Sequence, residues 1–200
     1  DKKSILSHVE SVDALRDLIN VPANDLGPEE IEKAVKAIAK THEASVKVIK
    51  EQKTLEIDFP LIFTVGKAST RPPRLIDLSW GNAKHPKVTL VGKGVAFDTG
   101  GLDLKPSQYM KLMKKDMGGA AHTIALTKLI MDHKLPVRLR LLIPAVENSV
   151  AGEAFRPGDI MKSRKGPFVE NTNTDAEGRL ILADALTYAS GGKPELIIDI

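Results

Sequence analysis

The chain has 200 residues, 42% of them hydrophobic and 28% charged, with a net charge of +3 and no cysteine. That is enough for one domain with a core of its own, and the missing cysteine excludes disulfides, thiolate metal sites and a cysteine nucleophile. The lysines are scattered among acids instead of forming a basic stripe with aromatics, which argues against nucleic acid as a partner. No apolar run approaches the ~20 residues that span a bilayer, and the start, DKKSILSHVESVDAL, lacks the basic-then-apolar plan of a signal peptide. No membrane partner is expected. A reducing, cytoplasmic location fits best, although a cysteine-free secreted protein is also compatible.

From Ser4 to Asn20, Leu6, Val9, Val12, Leu15 and Ile19 recur at helical spacing and predict an amphipathic helix that ends before the turn NVPAND. GPEEIEKAVKAIAKTH predicts a second helix, with Pro28 early, Glu29 and Glu30 in the first turn, and Ile31, Val35 and Ile38 as its buried stripe. ASVKVIK (44–50) and RLIDLSW (74–80) read as strands, and PKVTLVGKGVAFD begins as a third, with Val88, Leu90 and Val91 toward the core. A long helix is expected from Tyr109 to His133, its middle MGGAAHTIAL rich in small residues that permit close packing. LPVRLRLLIPAV (135–146) is a strand, FRPGDIMKSRKGPFVEN a run of short strands and turns, and GRLILADALTYAS (178–190) a helix closing at Gly191 and Gly192. The last run, PELIIDI, reads as a central strand, and both ends look like cuts within a longer chain. Alternating helices and strands predict an α/β sandwich.

Three clusters follow strand-like runs: VGKGVAFDTGG (91–101), LMKKDMGGAA (112–121) and NTDAEGR (173–179). Strand ends of an open α/β sheet are where such folds assemble sites. Each acid alone reads as well as a turn or helix cap. If Asp98, Asp116, Asp175 and Glu177 converge, however, their four negative charges need cations to stay ionised in a half-buried cleft. Two divalent ions with oxygen-rich ligation would meet that need. Lys93 and Lys105 sit beside these acids in Gly- or Pro-bearing loops. A lysine amine ligates a metal only when neutral, which from its ordinary pKa costs roughly 4 to 5 kcal/mol at pH 7. Arg179 falls in a first helical turn, where a cation opposes the dipole; it either pairs with Asp175 or Glu177 or holds an anion. GKG also suggests a phosphate cradle, but the surrounding residues follow neither the P-loop nor the dinucleotide pattern. There is no GxSxG or HExxH, and the five histidines share no metal-binding spacing. His122 reads as a helix residue against a sheet or an interface.

VGKGVAFDTGG, LKPS, MKKDMGGAA, RPGD and NTDAEGRL, in this order and at these separations, resemble the leucine aminopeptidase (cytosol aminopeptidase) family of dinuclear metallopeptidases. The similarity runs from about Asp13 to Ile200, and the octapeptide is highly specific. It implies a mixed, largely parallel sheet sandwiched between helices, of the phosphorylase/hydrolase-like, zinc-peptidase type and incomplete at the C-terminus. Residues 1–22 would lead into the catalytic domain, and 23–200 would form its N-terminal two-thirds. By the same resemblance, Lys93, Asp98, Asp116, Asp175 and Glu177 hold two divalent ions, zinc or manganese with magnesium or cobalt also suited. Asp98 and Glu177 bridge both ions, Lys93 and Asp116 belong to the tighter site, and Asp175 belongs to the more exchangeable one. Lys105 polarises the scissile carbonyl. Arg179, with the backbone of Ala176 and Gly178, holds a bicarbonate that acts as general base.

The activity implied is removal of the N-terminal residue, leucine and other apolar residues preferred, from peptides by a water acidified between the two ions. Met113 would line the side-chain pocket, although its place on a helix face also suits a core residue. The intact protein would be a homo-hexamer. Thr99 and Lys115 stand where many members carry other residues, and neither is a proposed ligand. The resemblance also implies a cleft left unfinished, so the chain by itself is expected to turn nothing over. Two other readings compete with this one: a non-catalytic homologue serving as a structural or binding subunit, and an anion- or nucleotide-binding module built on GKG.

Overall fold

A computed structural model describes residues 2–200. The first helix, α1 (Lys2–Asn20), packs along α6 (Gly118–Asp132). Leu15, Leu18 and Ile19 join the core, but the first half of α1 turns Ser7 and Ser11 inward and leaves Leu6, Val9 and Val12 exposed. The expected stripe is thus half correct, because Ser7 is drawn to the Asp132 carboxylate of α6. Helix α2 (Pro28–Thr41) begins as its sequence predicts: Pro28 opens it, and the Glu30 carboxylate accepts the Gly27 N–H at 3.1 Å.

Residues 51–73, where hydrophobic alternation names no element, hold two short helices, α3 (Gln52–Asp58) and α4 (Pro60–Gly66). Glu51 caps the first, accepting the Thr54 N–H at 2.6 Å, and Pro60 opens the second. Each is only seven residues long, too short for helical periodicity to register.

The main sheet has the order β1 (Ser45–Ile49), β2 (Arg74–Trp80), β5 (Arg138–Asn148), β3 (Lys87–Val91), β8 (Leu196–Asp199), and β4 (Gly94–Asp98) also pairs with β5. The β1/β2 and β2/β5 pairs are antiparallel, while β3/β5, β3/β8 and β4/β5 are parallel. Strand β8 lies at the sheet edge among the described residues, with Leu196 and Ile198 exposed. A separate hairpin joins β6 (Ile160–Lys162) to β7 (Phe168–Glu170).

Alternation along β5 builds two cores. Leu139, Leu141, Ile143 and Ala145 face α1, α2 and α6, while Leu142 and Val146 face α3, α4 and α7 (Glu177–Gly191). The result is the expected α/β sandwich. No helix among the described residues is long and apolar enough to cross a membrane.

The stretch expected as one helix from Tyr109 to His133 is broken into α5 (Ser107–Met110), a 3-10 turn (Met113–Met117) and α6. The break occurs where the chain docks on the sheet: Ala120 in the first turn of α6 donates its N–H to the Lys93 carbonyl at 2.9 Å. That bond satisfies an orphan donor of the helix start. It also fixes the preceding turn, which carries Asp116.

Candidate metal centre

Strands β3 and β4 run end to end along one edge of β5, interrupted at Gly92 and Lys93. At the break Gly92 N–H reaches the Leu142 carbonyl at 3.0 Å and Lys93 N–H reaches the Ile200 carbonyl at 2.8 Å. A Cβ on Gly92 would come within 2.2 Å of Thr123 Oγ1 and 2.8 Å of Ala120 Cα, so only glycine lets α6 approach this closely. The Lys93 side chain then passes beneath the start of α7. Its Nζ lies 2.9 Å from Asp116 and 3.2 Å from Glu177 Oε1.

Asp98 closes β4 and is 2% exposed. Its Oδ1 accepts the Gly100 N–H at 2.8 Å and its Oδ2 faces Lys105 Nζ at 2.8 Å. Lys105 returns to this point because the intervening loop is pinned. Lys105 N–H bonds the Thr99 carbonyl at 2.9 Å. Asp103 and Thr174 exchange hydrogen bonds of 2.8 and 2.7 Å, and the Thr174 hydroxyl donates to the Gly100 carbonyl at 2.6 Å. Lys105 Nζ also contacts the partly exposed Asp175. Asp175 sits in a 3-10 turn (Thr174–Ala176) capped by Asn173, whose Oδ1 accepts the Asp175 N–H at 2.8 Å. Glu177, fully buried, is the first residue of α7.

The three predicted clusters therefore converge at the C-terminal ends of β3, β4 and β5. One carboxylate oxygen each from Asp98, Asp175 and Glu177 lie within 4.8 Å of one another. Lys93 connects Asp116 to Glu177, and Lys105 connects Asp98 to Asp175. Burial pushes Glu177 up to about 7, aided by the Asp98 charge and opposed by Lys93. Burial raises Asp116 as well, against the pull of Lys93. For both lysines burial favours the neutral amine, yet the facing carboxylates outweigh it and hold each as an ammonium. Serving as a metal ligand would require Lys93 to give up that proton.

Two ammonium groups do not match four carboxylates. The buried Asp116 Oδ2 and Glu177 Oε1 both face the single Lys93 Nζ, at 2.9 and 3.2 Å. Oxygen-rich and net negative, the cluster suits hard or borderline divalent cations.

The remaining candidates stand apart. Arg179 is exposed, with neither Asp175 nor Glu177 as an ion-pair partner. Met113 is half-buried on the turn that carries Asp116. His122 lies on an exposed face of α6, bonded to the Gly118 carbonyl, and not against the sheet. Residues that sequence reasoning passed over include Asn148, Asp103 and Thr174, which orient the cluster without carrying its chemistry.

Residues 13–200 match the model of the cytosol aminopeptidase family, catalytic domain. The chain belongs to this family. A probable cytosol aminopeptidase of Pseudomonas fluorescens is 44% identical over 188 residues, covering 92% of this chain and 38% of that protein. The crystal structure of the Coxiella burnetii cytosol aminopeptidase superposes with a TM-score of 0.98 at 56% identity, covering 99% of this chain and 43% of that one. The bottromycin maturation enzyme BotP, solved in complex with Mn, gives a TM-score of 0.88 at 38% identity over 94% of this chain and 41% of its own. The chain thus spans less than half the length of these cytosol aminopeptidase relatives.

Proposed function

We propose that the protein is a dinuclear metal-dependent aminopeptidase that removes leucine and other apolar residues from the N-terminus of peptides. The observation that carries this reading is the convergence of four carboxylates on only two lysines at the strand ends, with buried oxygens of Asp116 and Glu177 sharing the single Lys93 ammonium. Lys93, Asp98, Asp116, Asp175 and Glu177 would hold two divalent ions, zinc or manganese being best matched and magnesium or cobalt also suited. Such ions, when bound, supply Lewis acidity that polarises a peptide carbonyl and lowers the pKa of water.

The chain's own groups do the rest. Lys105, held between Asp98 and Asp175, offers a cation to the oxyanion that develops at the scissile carbonyl. Arg179, whose guanidinium forms no ion pair with the neighbouring acids, stands beside the N-terminus of α7, where the backbone of Ala176 and Gly178 also favours an anion. Arg179 and the backbone of Ala176 and Gly178 would hold a bicarbonate there, which would supply general-base chemistry. Met113 would border the pocket for the substrate's first side chain. Residues 1–22 would lead into the catalytic domain, with 23–200 as its first part. The natural assembly would be a cytoplasmic homo-hexamer.

The test is metal stoichiometry in the natural full-length protein after stripping and reloading. Two ions per subunit, falling to one in Asp175→Ala, are expected. A wild-type protein that takes up none overturns the reading.

A further inference from the structure

Asn148 is the last residue of β5, lies opposite Asp98 in the strand register and is 1% exposed. Its Nδ2 lies 2.9 Å from Asp98 Oδ1, 3.0 Å from the Thr174 carbonyl and 3.4 Å from Glu177 Oε2. Its backbone carbonyl accepts both the N–H and the hydroxyl of Thr99, at 3.1 and 2.9 Å, where the Lys105 loop begins. One residue thus touches β4, the 99–105 loop, the turn bearing Asp175 and the first residue of α7.

The orientation of the amide is fixed by chemistry. Turned over, Asn148 would set its oxygen against three acceptor oxygens, whereas the NH2 group offers two N–H donors, which serve the close Asp98 and Thr174 oxygens and share the longer 3.4 Å contact with Glu177. In the observed orientation Oδ1 is buried and accepts no hydrogen bond from any described residue. The side chain is therefore satisfied on its nitrogen side alone, and that side faces two carboxylates. Aspartate here would add a fifth negative charge to the cluster, and an aliphatic residue would leave Asp98 Oδ1 with only the Gly100 N–H.

We propose that Asn148 is a positioning residue for the metal centre, its amide holding the Asp98 and Glu177 carboxylates at the mutual angle needed to share cations. The inference rests on the metallopeptidase reading. Groups that orient ligands without touching the metal typically change affinity 10- to 100-fold when removed.

The test is calorimetric titration of Mn2+ and Zn2+ into the stripped, full-length protein, comparing wild type with Asn148→Ala and Asn148→Ser, together with the visible spectrum of the Co2+ form. We expect Asn148→Ala to weaken binding 10- to 100-fold and alter the Co2+ spectrum. Asn148→Ser, whose hydroxyl can still donate, should recover part of the affinity and carries the test if the alanine variant does not fold. Variants that melt earlier but bind metal within twofold of wild type, with an unchanged Co2+ spectrum, would reduce Asn148 to a structural residue and overturn this inference alone. Failure of the wild type itself to bind divalent ions would overturn the metal reading and this inference with it.

Discussion

A Cβ on Gly178 would stand 2.5 Å from Lys93 Cε and 3.0 Å from its Nζ. Glycine at the second position of α7 thus makes room for the lysine that joins Asp116 to Glu177. Without that contact, Gly178→Ala would gain about 1 kcal/mol in helix propensity. With it, Lys93 must swing away, and we expect the variant to lose at least tenfold in metal affinity, read by calorimetry. A variant that melts higher and binds metal normally would contradict this account of the glycine.

Lys105 is placed for catalysis more than for metal capture. Lys105→Ala should lower kcat about 10²- to 10³-fold, the usual cost of removing one oxyanion donor. Metal content, measured on the same samples, should stay at the wild-type level.

Asp132 gives the fold a pH dependence remote from the metal cluster. Burial would raise its pKa, but hydrogen bonds from Lys128, Ser7 and His42 outweigh that and pull it from 3.8 to about 2. A carboxyl with a depressed folded pKa stabilises fully above its unfolded value and loses that contribution as pH falls through the folded one. The contribution should therefore be present above about pH 4 and fade toward pH 2, with a size on the order of 2 kcal/mol. Asp132→Asn should melt earlier than wild type at pH 6, and the gap should close as the acid limit is approached.

Glu32 and Arg74 form an ion pair in which the two side chains are 6% and 5% exposed. Glu32→Ala would strand a buried guanidinium whose Nε already lacks a hydrogen bond among the described residues. Chemical denaturation should register a loss of about 3–5 kcal/mol. Replacing both partners with leucine and methionine should cost clearly less than the two single changes added together.

The sheet and the site were legible to different degrees. RLIDLSW is the β2 strand residue for residue because its ends are set by turn-forming neighbours, and Pro28 marks the start of α2 in both readings. The break at Gly92 and Lys93 was not visible, since it arises from α6 and β8 pressing on the strand from other parts of the chain. The inward turn of Ser7 was hidden for a similar reason: its partner Asp132 is 125 residues away. All five proposed ligands and Lys105 lay in motifs that sequence could single out, and the fold brings all six together. Asn148 had no such signal, because a lone asparagine at a strand end acquires meaning only from the carboxylates folded against it.

The central claim is tested most directly by hydrolysis of leucine p-nitroanilide with the natural full-length protein, stripped of metal and then supplied with Mn2+ or Zn2+, beside Asp175→Ala and Lys105→Ala. The account predicts activity that appears only with metal and is lost in both variants. A folded wild-type protein inactive with every divalent ion would contradict it and favour a non-catalytic member of the family.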